Sequence, residues 1–136
     1  MSSGRPAIIR PSRRVLPGFA SGDDVPRIQI DLPGQFAFST EIAVYIGHIN
    51  YGHHLDNSAL LSLVSEARVR FFKSLGYSEL DVEGLGIIVA DAAVQYRSEA
   101  FHGEVLRFAM TAHEFNKYGC DLAWQVTESA SGREVA

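Results

Sequence analysis

Apolar and polar positions alternate with a period of two from Phe36 to Val44. Phe36, Phe38, Thr40, Ile42 and Val44 fall on one face, and Ala37, Ser39, Glu41 and Ala43 on the other. That pattern, rich in aromatic and β-branched residues, predicts a strand. A polar, glycine-containing loop follows from Gly47 to Asn57. The period then changes to three and four. Leu60, Leu61, Val64, Ala67, Phe71, Phe72 and Leu75 form one broad apolar stripe, which predicts a helix over 57–75. Asp56, Asn57 and Ser58 are all suited to cap its first amides, and Gly76 stands where a glycine ends a helix. At about 1.5 Å per residue such a helix is about 28 Å long, enough to cross a sheet. Three more strand patterns run over 86–98, 104–113 and 120–127. The connections at 100–103 and 115–119 are short and contain glycine, which predicts antiparallel hairpins. Strand, long helix, then meander is an α+β order, with the helix lying on one face of an antiparallel sheet.

The two ends of the chain read differently from its middle. Prolines at 6, 11, 17 and 26 and four arginines precede or flank the first acid, Asp23. Proline at that density breaks regular structure, so 1–33 reads as an extended or disordered lead-in and 34–136 as one domain. The lead-in has no apolar stretch of the kind a secretory signal carries. Its arginine and serine content overlaps with organelle transit peptides, but its prolines oppose the amphipathic helix those need. At the other end, Arg133–Ala136 follows a turn at Ser129–Gly132 and reads as the opening of a final strand, apparently truncated.

Composition narrows the function classes. With 46% apolar and 21% charged residues the chain can build a packed core. A net charge of −4 opposes a general nucleic-acid-binding surface. The single cysteine, Cys120, excludes an internal disulfide framework and a cysteine-rich zinc site. It fits a cytoplasmic, reducing compartment, and its place in a strand predicts a buried, inert thiol. No apolar run approaches the ~18 residues a membrane span needs. Nucleotide-binding, serine-elbow and paired-cysteine motifs are absent.

The polar loop before the helix holds His48, Asn50, Tyr51, His53, His54, Asp56 and Asn57. Neighbouring His53 and His54 point apart, so no metal and no cofactor are expected. Gly52 reads as a turn residue with positive φ. The helix start is the more informative feature. Its first amides are unpaired and carry partial positive charge, so they can hold an oxyanion without a charged side chain. Polar groups just upstream can orient a water, an arrangement that suits acyl transfer to water.

The segment INYGHHLDNSALLSLVSEARVRFF (Ile49–Phe72) resembles the signature of hotdog-fold acyl-CoA thioesterases of the 4-hydroxybenzoyl-CoA thioesterase type. Those proteins carry Asp-x-x-Gly-His-Val-Asn-Asn before a long helix ending in Glu-Ala-Arg. With Glu66-Ala67-Arg68 on that ending, His54 falls on the family histidine, Leu55 on the valine, and Asp56 and Asn57 on the asparagine pair. His53 takes the place of the glycine. YRSEAFHGEVL (Tyr96–Leu106) resembles the family's Tyr-x-x-Glu-x-x-x-Gly-Asp hairpin. The likeness spans about 37–136 and implies a hotdog fold, a homodimer or homotetramer with the site between subunits, and hydrolysis of an acyl-CoA to a free acid and CoA. It implies Asn50, His54, Asp56, Asn57 and Glu66 as candidate catalytic residues. Tyr51, Gly52, Arg68 and Arg97 become candidates for holding substrate, with Arg70 and Lys73 as further cations for the phosphates. The family's catalytic aspartate falls on Asn50, and an amide is neither nucleophile nor general base. The missing acid would then be Asp56, or Glu66 of a neighbouring subunit. An ion pair of Glu66 with Arg70 or Arg97 is the alternative. Two rival functions follow from the same residues. One is a non-catalytic acyl-CoA-binding hotdog protein. The other is a hydratase, whose acid–histidine pair would have to be Asp56 and His54.

Overall fold

The structure is a computed structural model and describes residues 28–136. The lead-in as far as residue 27 lies outside the described residues. Strand β1 is Phe38–Ala43, β2 is Val105–Asn116 and β3 is Gly119–Glu128. They form an antiparallel sheet in the order β1-β2-β3. The α+β architecture expected from the pattern is present, with one long helix, α1 at Asn57–Ser74, packed on the sheet.

The register explains the core. Phe38 faces Met110, Thr40 faces Phe108 and Ile42 faces Leu106 across β1 and β2. Phe108 and Met110 in turn face Val126 and Trp124 of β3. Successive residues point to opposite faces, so Leu106, Phe108, Met110 and Val126 all meet the helix, and all four are buried. From α1, Leu60, Leu63, Val64, Ala67 and Phe71 close on them, and Phe72 is buried beside Phe71. Leu61 and Leu75 do not belong to this stripe, contrary to the sequence reading; both are exposed, and Leu63 takes the inner position.

Both helix ends match their sequence signals. The Asp56 carboxylate accepts from the N–H groups of Ser58 and Ala59. At the far end Gly76 adopts φ +81°. The Gly76 N–H donates to Lys73 and the Tyr77 N–H to Phe72, the paired bonds of a Schellman ending.

One predicted strand is not formed. Residues 86–98 carry no regular secondary structure. Their neighbour in the fold is the short run at the end of the chain, which docks on β3 through Val126 N–H to Ala136 O and Val135 N–H to Val126 O. That run offers the carbonyl of Val135 to the N–H groups of Arg97 and Ser98. Residues 88–96 have no backbone partner among the described residues. The alternating pattern predicted a strand here, but a strand also needs a ladder, and these residues have no backbone partner among the described residues to form one.

Cys120 also departs from expectation, being exposed rather than buried. The β2–β3 hairpin runs on past the end of β1, which stops opposite Met110, so the residues near its turn lie beyond the helix-covered core. Partial burial, then the nearby Asp121 charge, pushes the Cys120 thiol up, which keeps it protonated and poorly nucleophilic.

Candidate functional site

The site is built by the loop that enters α1. Ile49 and Leu55 pair as an antiparallel bridge, and the Asn50 N–H donates to the His54 carbonyl. The five residues between these contacts form a closed turn. Its left-handed residue is His53, with φ 67°, not Gly52 as the sequence suggested. Gly52 is required for space instead. A Cβ there would lie 3.1 Å from Asn50 Oδ1 and 3.2 Å from His54 Nε2. The Asn50 and His54 side chains therefore converge over a residue without a side chain of its own.

Each polar group in the turn has a defined orientation. Asn50 Oδ1 accepts from the Gly52 N–H at 2.9 Å, an Asx turn. Only the oxygen of the amide can do so, which leaves Nδ2 as the free, donating end. The Asn50 amide also adds slightly to the groups that hold the Asp56 charge. His54 Nδ1 lies 3.1 Å from the Leu55 carbonyl. A ring nitrogen facing a carbonyl carries the hydrogen, so Nε2 is the nitrogen turned to the cavity.

Asp56 is engaged with the helix. Its Oδ2 accepts from the Ser58 hydroxyl, the Ser58 N–H at 2.9 Å and the Ala59 N–H at 3.2 Å. The Ser58 hydroxyl, then the Ala59 N–H, hold its carboxyl below the usual carboxylate range. Since Asp56 serves Ser58 and Ala59, the first amide of the helix is left over. The Asn57 N–H has no partner among the described residues. The Asn57 carbonyl, one atom group further on, accepts from the Tyr96 hydroxyl at 2.9 Å. Tyr96 thereby ties the segment 94–98 to the helix mouth.

These residues line one open cavity of about 330 Å³, formed by Asn50, His54, Asp56, Asn57 and Leu60 on one side and residues 96–100 with Val135 on the other. That is near the lower limit for a small-molecule site. A larger hollow of about 420 Å³ lies on the sheet face turned away from α1, but Arg107 is its sole charged residue and it holds no acid, histidine or thiol.

Of the residues singled out by sequence, the cavity brings together Asn50, His54, Asp56, Asn57 and Arg97. Gly52 packs behind Asn50 and His54, and Tyr51 is fully exposed at the tip of the turn. Arg68 pairs with Glu79 at 2.5 Å. Glu66 pairs with Arg70 Nε at 2.8 Å, and Arg70 also donates to Thr40 and to the Glu41 carbonyl. Within one chain both glutamate and arginines thus lie outside the cavity. Two cavity residues, Tyr96 and Glu99, were not on the sequence list of site residues. Both stand in the Tyr-x-x-Glu stretch that carried the resemblance, which was the available signal.

Acid should unfold this protein through two carboxylates. Asp56 is held down as described. Glu128, buried on the inner face of β3, is held down by the Ser131 hydroxyl and the Ala130 and Ser131 N–H groups. A folded value below the unfolded one contributes stability that is complete above the unfolded value and is lost as pH falls through the folded one. With ordinary values of 3.8 for Asp56 and 4.5 for Glu128, urea midpoints should be flat near neutrality and fall as pH drops below about 4.5. Glu128→Gln should flatten that fall. An unchanged acid limb would show that this carboxylate is not what acid removes.

Residues 44–136 match the sequence profile of the thioesterase-like superfamily. Among curated proteins, none matches the chain significantly. Several solved structures share its fold. Slr0204, a 1,4-dihydroxy-2-naphthoyl-CoA thioesterase from Synechocystis, superposes with a TM-score of 0.66 at 16% identity, over 72% of this chain and 74% of that one. TT1821, a hypothetical protein from Thermus thermophilus, gives 0.64 at 19% identity over 71% and 75%. YbaW, a probable thioesterase from Escherichia coli, gives 0.58 at 19% identity over 71% and 74%. The helix on an antiparallel sheet is the hotdog arrangement of these proteins, and with a profile match over most of its length the chain belongs to the thioesterase-like superfamily.

Proposed function

We propose that this protein is an acyl-CoA thioesterase, which hydrolyses a thioester to a free acid and CoA. The observation that carries the reading is the Asn57 N–H, unpartnered among the described residues, at a residue that lines a cavity together with Asn50, His54 and two carboxylates. A thioester carbonyl placed there would receive a hydrogen bond that strengthens as its oxygen becomes an oxyanion. Asn50, whose Oδ1 is taken by the Gly52 N–H, has its Nδ2 hydrogens left to supply a second donor at the same mouth. His54 Nε2 can exchange a proton with the attacking water or the leaving sulfur. Arg97, whose guanidinium has no ion-pair partner among the described residues, is the cation best placed for a CoA phosphate. Arg68 and Arg70 are already paired with acids. Tyr51, exposed at the tip of the turn, would meet the substrate or a second subunit.

A homodimer, or a homotetramer built from it, belongs to the same reading. Ile88 and Val89 are exposed in a segment whose backbone has no partner among the described residues, and such an edge is covered when another chain adds to it. A second copy would enlarge a cavity that is small for an acyl-CoA. We place the protein in the cytoplasm on the sequence grounds given above. Sedimentation should give a dimer or tetramer at micromolar concentration. A clean monomer that hydrolyses acyl-CoA at full rate would overturn the shared-site part of the proposal.

The deciding experiment is thiol release from acetyl-, octanoyl- and benzoyl-CoA, read with a thiol-reactive chromophore. Release from at least one, saturable in substrate, is the expected result. Tight binding of all three with no release would instead assign a non-catalytic acyl-CoA-binding role.

A further inference from the structure

We infer that Glu99 is the general base of this site, doing the work for which Asn50 has no carboxylate. The inference rests on the thioesterase reading and adds a residue to it.

Glu99 lies in the cavity wall opposite the turn, with Oε1 3.8 Å from His54 Nε2. Its backbone is fixed from two sides. The Ala100 carbonyl accepts from the Leu55 N–H at 2.8 Å, which joins this wall to the turn. The Glu99 carbonyl accepts from Arg133, which is itself held by Glu104 at 2.6 Å. The side chain is left free. No hydrogen bond is made by the Glu99 carboxylate among the described residues, and its contact with His54 is longer than a direct bond. A water seated between Oε1 and Nε2 would touch both.

The other acids are spent elsewhere. Asp56 uses Oδ2 on three donors of the helix start, and the bonds that hold its charge make it a weaker base. Glu66 is bonded to Arg70 outside the cavity. Glu99 therefore combines access to the cavity, an unspent carboxylate and a rigid backbone, and no other acid among the described residues does.

The step balances without any further reactant. The Glu99 carboxylate takes one proton from the water as its oxygen adds to the carbonyl carbon of the thioester. The carbonyl electron pair moves to oxygen, facing the Asn57 N–H. As the carbonyl re-forms, the C–S bond breaks, and the sulfur leaves with that bond's electron pair. It receives the proton from Glu99, which returns to its carboxylate. The products are the free acid and the thiol.

Glu99→Gln keeps the shape and removes the base. With whichever of the three acyl-CoA substrates is turned over fastest, kcat should fall about 10²- to 10⁴-fold. Affinity for the non-hydrolysable thioether analogue of that substrate, and the thermal midpoint, should stay within twofold and about 2 °C of the unaltered protein. Thiol release that survives Glu99→Gln within threefold overturns the inference and leaves the thioesterase reading standing. So does a large loss at Glu66→Gln with little at Glu99→Gln, which would assign the base to the helix. If the unaltered protein releases no thiol from any of the three, the reading and the inference fall together.

Discussion

Asn50→Ala is expected to lower kcat about 10²-fold, the cost of removing one oriented donor from a preorganised site. The fold should survive, because the lost Asx-turn bond to the Gly52 N–H is one hydrogen bond, about 1 kcal/mol. The conservative change is more informative. Asn50→Asp keeps an oxygen for Gly52 but puts a second carboxylate in the cavity beside Asp56, whose charge the amide now helps to hold. Two carboxylates in one place cannot both ionise freely. A carboxylate at position 50 would also repel the developing oxyanion that the amide stabilises. Asn50→Asp should therefore fall with Asn50→Ala at neutral pH, although it restores the residue that the resembling enzymes carry. A rise above the unaltered rate would show that position 50 serves best as a base, and would move the chemistry from Glu99 to the turn.

Phe71→Ala is the largest stability loss expected in the helix, about 3–5 kcal/mol. The Phe71 ring is buried between Phe38, at 5.6 Å between centroids, and Phe72, at 5.5 Å. The tilts of 58° and 60° suit the quadrupoles of the rings. Truncation opens a gap at the joint of α1 and β1, where rigid sheet residues cannot collapse to fill it. A domain of this size has about 5–15 kcal/mol in total, so the variant should unfold at much lower urea with a similar slope. A loss under 1 kcal/mol would mean that this face of the helix is not packed as described.

What could be read from the sequence was whatever is decided locally. Asp56 and Gly76 announce the two ends of α1, and both do so through bonds to residues within five positions. The alternation over 104–127 produced strands because β2 and β3 are hairpin neighbours, and that over 36–44 did so because β2 offers it an edge from about sixty residues away. The same alternation over 86–98 produced none, since pattern reports burial preference while a strand requires backbone groups on an adjacent chain. Leu61 and Leu75 fit the helical spacing but fall at the margin of a stripe narrower than the spacing allows. At the site, His54 and Asn57 were legible because the helix start itself positions them. Glu99 was not, because its importance depends on the Leu55–Ala100 contact, which joins residues 45 positions apart in sequence. Gly52 was picked out for its backbone angle and matters for its missing Cβ.

The extension of the β2–β3 hairpin past β1 has a practical side. It presents Cys120, the only cysteine of the chain, to solvent, six residues along β3 from Val126, which neighbours the cavity residue Val135. At about 3.3 Å per residue that is about 20 Å. Every molecule of this protein thus brings one slow thiol of its own into an assay that counts thiols, and up to one equivalent of slowly rising colour belongs to the protein rather than to CoA. Cys120→Ser silences that background without touching the cavity. Left in place, the same thiol is a single attachment point for a dye, on a rigid arm that reports tumbling and assembly without obstructing the site.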